Sequence, residues 1–249
     1  MSVEELRAAV AVALAAFLLI LRLDAERLGA AEYDEPDDWG RRPPFLPRLG
    51  WYFTGIALVA LVEFVHPDPG RALLLGLGND RVVALLVGLV FGLVGAAQAA
   101  ALAWARWRRF RLPAPREYPG AILNAVGTAV VDEAAFRGVL LGLLLAMGVP
   151  ASAAIVAQAL LYVLATRVAA TGRSRYTLFF TLLLGMAAGW VTVFTGGIGA
   201  AVLGHATTRL AVFAFTGHAG LLAPRGQEVE EIERERLPPP GWEVVGDDE

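Results

Sequence analysis

Residues 119–147 read PGAILNAVGTAVVDEAAFRGVLLGLLLAM, a run long and apolar enough to cross a bilayer, with Asp132, Glu133 and Arg137 at its centre. One Asp or Arg at the middle of a membrane helix costs about 2.5–3.5 kcal/mol on insertion scales, so several together must face one another or a polar cavity. Glu133 and Arg137 are four residues apart, share a helix face and can pair along it. Asp132 lies about 100° around the helix from Glu133 and so points toward a different neighbour. This spacing commits Glu133 to a local pair and leaves Asp132 as the carboxylate free for chemistry.

The rest of the chain fits a membrane setting. Of its 249 residues 57% are hydrophobic, with a mean hydropathy of +0.57. A soluble domain of this length has too much surface to hide so much apolar material. Uncharged runs alternate with short arginine clusters, which predicts an all-α, polytopic transmembrane bundle of about seven spans. The spans fall near 6–23, 49–65, 82–105, 119–147, 150–168, 177–195 and 199–216. Arg7 and Arg22 sit at the two ends of the first, where both can snorkel to the interfaces.

Arginine counts test the topology. Segments 22–48 and 106–116 are rich in arginine, and the 167–175 loop and the tail after 217 also carry it. The segment between the second and third spans has only Arg71 and Arg81, and residues 148–150 and 196–199 have none. Arginine-rich segments alternate with poor ones, so the positive-inside rule puts the N-terminus outside and the C-terminus in the cytoplasm. Glu4 and Glu5 oppose the positive start of a cleavable signal, so the first run reads as a retained helix. The organisation expected is a three-helix region over 1–116 with an interfacial cytoplasmic loop at 24–48, a four-helix core over 117–216, and an acidic, disordered cytoplasmic tail over 217–249. His66, His218 and Glu63 read as interfacial. Glycine pairs at four-residue spacing, Gly88/Gly92, Gly138/Gly142 and Gly185/Gly189, permit close helix contact, although a glycine-rich composition alone would also produce them.

The chain has no cysteine, which excludes disulfides, thiolate metal sites and cysteine nucleophiles. It has no lysine either, which excludes Schiff-base chemistry. An all-arginine basic set in an Ala-, Gly-, Val- and Leu-rich chain fits a GC-rich bacterial genome, and hence a bacterial cytoplasmic (inner) membrane. The formal charge of −3 gives no reason to expect a nucleic-acid partner. Two further polar side chains, His205 and Arg209, lie inside the last span one turn apart. One histidine and two carboxylates, one of them paired with arginine, make a poor metal-ligand set, so neither metal nor cofactor is expected. At about 1.5 Å per residue, Asp132 lies ~22 Å from its outer turn and Thr166 ~24 Å, whereas His205 lies only ~9 Å from its own. For His205 to join them, the glycine-rich stretch 196–204 must dip inward, which is tolerated where protein surrounds it.

Three stretches together resemble the CAAX protease and bacteriocin-processing (CPBP, or Abi) family of intramembrane proteases. That family carries Glu-Glu-x-x-x-Arg followed by Gly, then an aromatic-x-x-x-His, then His-x-x-x-Asn. The counterparts are Asp132-Glu133-Ala-Ala-Phe136-Arg137-Gly138, Tyr162-Val-Leu-Ala-Thr166 and His205-Ala-Thr-Thr-Arg209, with Phe180-x4-Gly185-x3-Gly189-Trp190 and Thr195-Gly196-Gly197 similar to a further family block. The resemblance covers roughly 117–216. Glu133, Arg137 and His205 match outright. Asp132 stands where the family has its water-activating Glu, Thr166 where it has that residue's partner His, and Arg209 where it has an oxyanion-stabilising Asn. The resemblance implies an endopeptidase acting on a membrane-embedded or membrane-anchored peptide, with Asp132 as base and His205 and Arg209 on the developing oxyanion. Threonine is no base near neutral pH, although it can orient a water. A catalytically silent scaffold retaining the fold is the alternative, and a proton- or ion-coupled carrier is a third reading, disfavoured because no inverted repeat is visible.

Overall fold

A computed structural model describes residues 2–25, 28, 30, 45–108, 110, 112–167 and 175–217. Every regular element among them is helical: α1 (Val3–Leu23), α2 (Phe45–Val65), α3 (Pro69–Ala72), α4 (Arg81–Trp107), a short 3-10 turn (Pro115–Glu117), α5 (Tyr118–Glu133), a π-helical stretch (Ala134–Leu141), α6 (Gly142–Ala146), α7 (Ala151–Arg167), α8 (Arg175–Thr195) and α9 (Gly199–Thr216). Trp39, His218 and the acidic tail lie outside the described residues.

Four helical stretches among the described residues are long and apolar enough to cross a membrane: Val3–Leu23, Phe45–Val65, Arg81–Trp107 and Leu178–Thr195. Ala151–Thr166 is apolar but shorter. The 119–147 run is helical almost throughout, as α5, the π-helical stretch and α6 in unbroken succession. Helix α4 shows how the bundle is organised. Its large residues Val82, Leu86, Leu89 and Leu93 face outward, whereas Gly88, Gly92, Gly95, Ala99 and Ala103 are buried. Small residues inside and large apolar ones outside is the pattern expected where lipid, not water, covers the surface.

Local chemistry sets the helix ends. Ser2 and Glu5 form a reciprocal capping box at the start of α1, whose acidic first turn also suits the helix dipole. Asp80 Oδ1 accepts from the Val82 and Val83 amides at the start of α4. Arg7 donates to the terminal carbonyls of α2, with Nε 2.9 Å from Val65 O, so the start of α1 lies beside the end of α2. At the opposite ends, Trp51 Nε1 donates to Leu21 O at 2.8 Å.

Helices α4 and α9 run parallel. A Cβ built on Gly88 would lie 3.0 Å from Ala200 O, one on Gly92 2.8 Å from Thr207 Cβ, and the Phe110 and Phe215 rings beyond them are 5.0 Å apart. Helix α5 runs antiparallel to α9, from Tyr118 against Phe213 to Glu133 against His205. Gly185 and Gly189 meet Ala159, Ile155 and Gln158 of α7. These two glycine pairs therefore sit at close helix contacts.

The connection between α3 and α4 is more than a loop. Residues 73–79, extended at Leu73 and bent at Gly76, Leu77 and Asn79, lie between the π-helical stretch and the turn before α9. The Leu74 amide donates to Gly138 O (2.9 Å), the Ile198 amide to Leu74 O (3.2 Å) and Gly76 O (2.9 Å), and the Asn79 amide to Thr195 O (2.8 Å). A π turn releases carbonyls from the ordinary helical ladder, and Leu74 takes one of them. A Cβ on Gly142 would meet Ala72 O at 2.5 Å. Gly138 faces Leu75, Gly197 faces Gly76 and Gly78, and Gly199 faces Leu77. The turn at 196–199 is thus covered by protein, the condition set above for non-helical backbone at depth.

Candidate active site

The 100° offset between Asp132 and Glu133 sends their side chains to different helices. Glu133 faces α9: its Oε1 lies 2.7 Å from His205 Nδ1 and 3.2 Å from Arg137 Nη1. All three side chains are buried. Among the described residues Arg137 finds no hydrogen-bond partner. Its guanidinium is held by Glu133 and by the face of Tyr162, 4.3 Å from the ring centroid. The Tyr162 ring also meets Phe136 edge-on at 5.1 Å and His205 at 6.3 Å. Helices α5, α7 and α9 and the π-helical stretch converge here.

Asp132 faces α1. Its Oδ1 is 2.9 Å from Arg22 Nε, with both side chains buried, and Tyr162 Oη lies 3.5 Å from Oδ2. The Arg22–Asp132 contact is ionic rather than an aligned hydrogen bond. Arg22 also lies over Trp51, 5.9 Å from the ring centroid. Two expectations change. Arg22 does not snorkel to an interface, because α1 continues to Leu23 and packs that side chain inside the bundle. Asp132 is not the free carboxylate, because a carboxylate without solvent exposure needs a counter-charge and Arg22 supplies it.

Thr166 also departs from expectation. Its hydroxyl donates to Tyr162 O of its own helix at 2.7 Å, the usual bond of a threonine inside a helix. It does not line the cavity described next.

A cavity of about 110 Å³ opens between α5, α7, α8 and α9. Tyr162, His205, Arg209, Asn124 and Thr208 supply polar groups, and Phe213 and Leu184 contribute apolar wall. His205 and Arg209 are therefore brought together on one cavity. Asp132 and Thr166 are absent from its lining, and Glu133 reaches it through His205. No cluster of metal-binding side chains occurs among the described residues.

Four residues were not singled out from sequence. Tyr162 was visible only as the aromatic of its motif. Asn124 lies eight residues, just over two turns, before Asp132, with Thr128 midway, so the polar stripe on α5 was open to reading. Tyr52 lies near the start of the second span and Arg22 at the end of the first, positions that give no sign of these contacts. The loop after α1 was also misplaced in part: Ala25 and Ala30 are buried, and Ala30 O accepts from Asn124 Nδ2 (3.1 Å) and Thr128 Oγ1 (2.9 Å).

Residues 114–211 match the family model for type II CAAX prenyl endopeptidase, Rce1-like. The resemblance to the CPBP family holds. No curated protein and no solved structure matches the chain. The Rce1-like segment contains Asn124, Asp132, Glu133, Arg137, Tyr162, His205 and Arg209. Arg22, Ala30 and Tyr52, which contact that set, lie outside it.

Proposed function

We propose that this chain is an intramembrane endopeptidase that hydrolyses a peptide bond of a membrane-embedded or membrane-anchored substrate, with His205 as the general base. The observation that carries the reading is the 2.7 Å contact between Glu133 Oε1 and His205 Nδ1 at the cavity wall. A carboxylate accepting from Nδ1–H fixes the tautomer and leaves Nε2 as the proton acceptor on the cavity side. Arg137 and Tyr162 hold Glu133 and the imidazole in place.

In the step that follows, a water oxygen attacks the substrate carbonyl carbon and its proton passes to His205 Nε2. Negative charge develops on the carbonyl oxygen, where the Arg209 guanidinium stabilises it. Collapse of the tetrahedral species breaks the C–N bond, and the imidazolium returns its proton to the leaving amine. Asp132, neutralised by Arg22, takes a structural role in this scheme.

The Arg22–Asp132 contact also favours a second reading, a silent membrane-binding protein that keeps the protease fold, since the carboxylate at the first motif position is occupied. The test uses the full chain in liposomes with a library of membrane-anchored peptides. The expected result is cleavage that falls at least about 100-fold in Glu133→Gln and in His205→Ala, as for loss of a general base. Absence of cleavage by the unaltered chain across the library would favour the silent reading. Full retention in His205→Ala would overturn the assignment of the base.

The arginine distribution supports placing the chain in the bacterial cytoplasmic membrane with seven spans, the N-terminus outside and the C-terminus in the cytoplasm.

A further inference from the structure

Arg209 lines the cavity and is bonded there to a neighbour whose amide is fully used. Arg209 Nη2 donates to Asn124 Oδ1 at 3.0 Å, while Asn124 Nδ2 donates to Ala30 O at 3.1 Å and to Tyr52 Oη at 3.0 Å. The orientation of that amide is not arbitrary. A guanidinium only donates and a carbonyl only accepts, so oxygen must face Arg209 and nitrogen must face Ala30. The remaining protons follow in one sense around a buried ring: Tyr52 Oη lies 3.5 Å from Thr128 Oγ1, which itself donates to Ala30 O at 2.9 Å. Asn124 and Thr128 are buried. The fixed groups of the ring, the Ala30 carbonyl and Tyr52, come from the part of the chain outside the Rce1-like segment.

We infer that Asn124 is a positioning residue for Arg209, oriented by Tyr52 and the Ala30 carbonyl, so that the region before α5 sets where positive charge stands in the cavity. The inference deepens the peptidase reading, in which Arg209 stabilises the oxyanion, but it is tested without a peptide. Failure of cleavage and failure of positioning therefore remain separate results.

The chain has no cysteine, so Val212→Cys places a single thiol on the cavity wall one turn from Arg209. In the full chain in liposomes, the thiol is labelled in parallel by an anionic and a cationic methanethiosulfonate of similar size. The ratio of the two rates reads the local charge. Arg209→Met in this background should lower the anion-to-cation ratio about fivefold, the scale of one unit charge a few ångströms away in a partly wet site. Asn124→Leu should lower it at least about twofold, with Arg209 still present. Tyr52→Phe and Thr128→Val, which remove the orienting bonds one at a time and conserve shape, should each lower it about twofold, a part of the same electrostatic effect. A ratio unchanged by Asn124→Leu while Arg209→Met lowers it would overturn the inference, as would a ratio unaffected by Arg209→Met. If Asn124→Leu does not fold, unchanged ratios in both Tyr52→Phe and Thr128→Val would also overturn it.

Discussion

Asp132 and Glu133 are neighbours in sequence and belong to different environments, one facing Arg22 and the other His205. Removing one member of a buried ion pair strands the other, and Arg22→Met should cost about 3–5 kcal/mol, measured by denaturant titration in bicelles. Arg22→Met with Asp132→Asn leaves no stranded charge and should recover most of that loss. A double variant no more stable than the single would show that Arg22 acts through something other than Asp132. Part of this was legible in the sequence. The divergence of Asp132 from Glu133 follows from helical pitch alone, and the Glu133–Arg137 pair from spacing. The partner of Asp132 was not legible, because an arginine at the end of an apolar run looks the same whether it faces an interface or a buried carboxylate. Thr166 shows the same limit: its motif position suggested the site, but nothing in the spacing tells that its hydroxyl turns back onto its own helix.

At the level of elements, hydropathy located the helices well, since a membrane span must satisfy its own backbone and carry an apolar surface. Hydropathy gives no sign of the π-helical stretch at Ala134–Leu141 or of the irregular segment at 73–79, both of which depend on backbone partners far apart in the chain. Gly88, Gly92, Gly185 and Gly189 serve the helix contacts their spacing suggested, whereas the third pair does not. Gly138 and Gly142 read as a helix-contact pair, and they instead accommodate the Leu75 side chain and the backbone of Ala72–Leu74. Gly142→Ala would press a methyl onto the Ala72 carbonyl and should destabilise the protein by about 1–3 kcal/mol, as overpacking does, with raised amide exchange at Leu74 as the specific sign. Unchanged exchange at Leu74 would refute the contact.

Across the whole molecule, the Rce1-like segment is not self-sufficient. Helix α4 fills the outer side of α9, α1 neutralises Asp132, and residues 73–79 satisfy backbone at Gly138 and Ile198. In lipid, an unsatisfied backbone group costs several kcal/mol. Residues 112–217 expressed alone in liposomes should therefore lose amide protection around 133–141, and co-expression with residues 1–111 should restore it. Protection in the isolated segment would contradict this dependence. The boundary at 116/117 suggested by motif coverage is thus crossed by the contacts that complete the site.

The 73–79 segment against its glycine bed also bears on inheritance. Gly197 is shaped by Gly76 and Gly78, and Gly199 by Leu77, although the two stretches lie far apart in sequence and only the later one falls within the recognised family block. A side chain at 197 would collide with the Gly76 carbonyl and one at 199 with the Leu77 carbonyl, so a lineage that shortened the 73–79 segment would free 138, 142, 197 and 199 to acquire side chains. Descendants of this chain should vary at these positions in concert, so that a lost glycine in the family block records a change in the segment upstream rather than a change at the Glu133–His205 cavity.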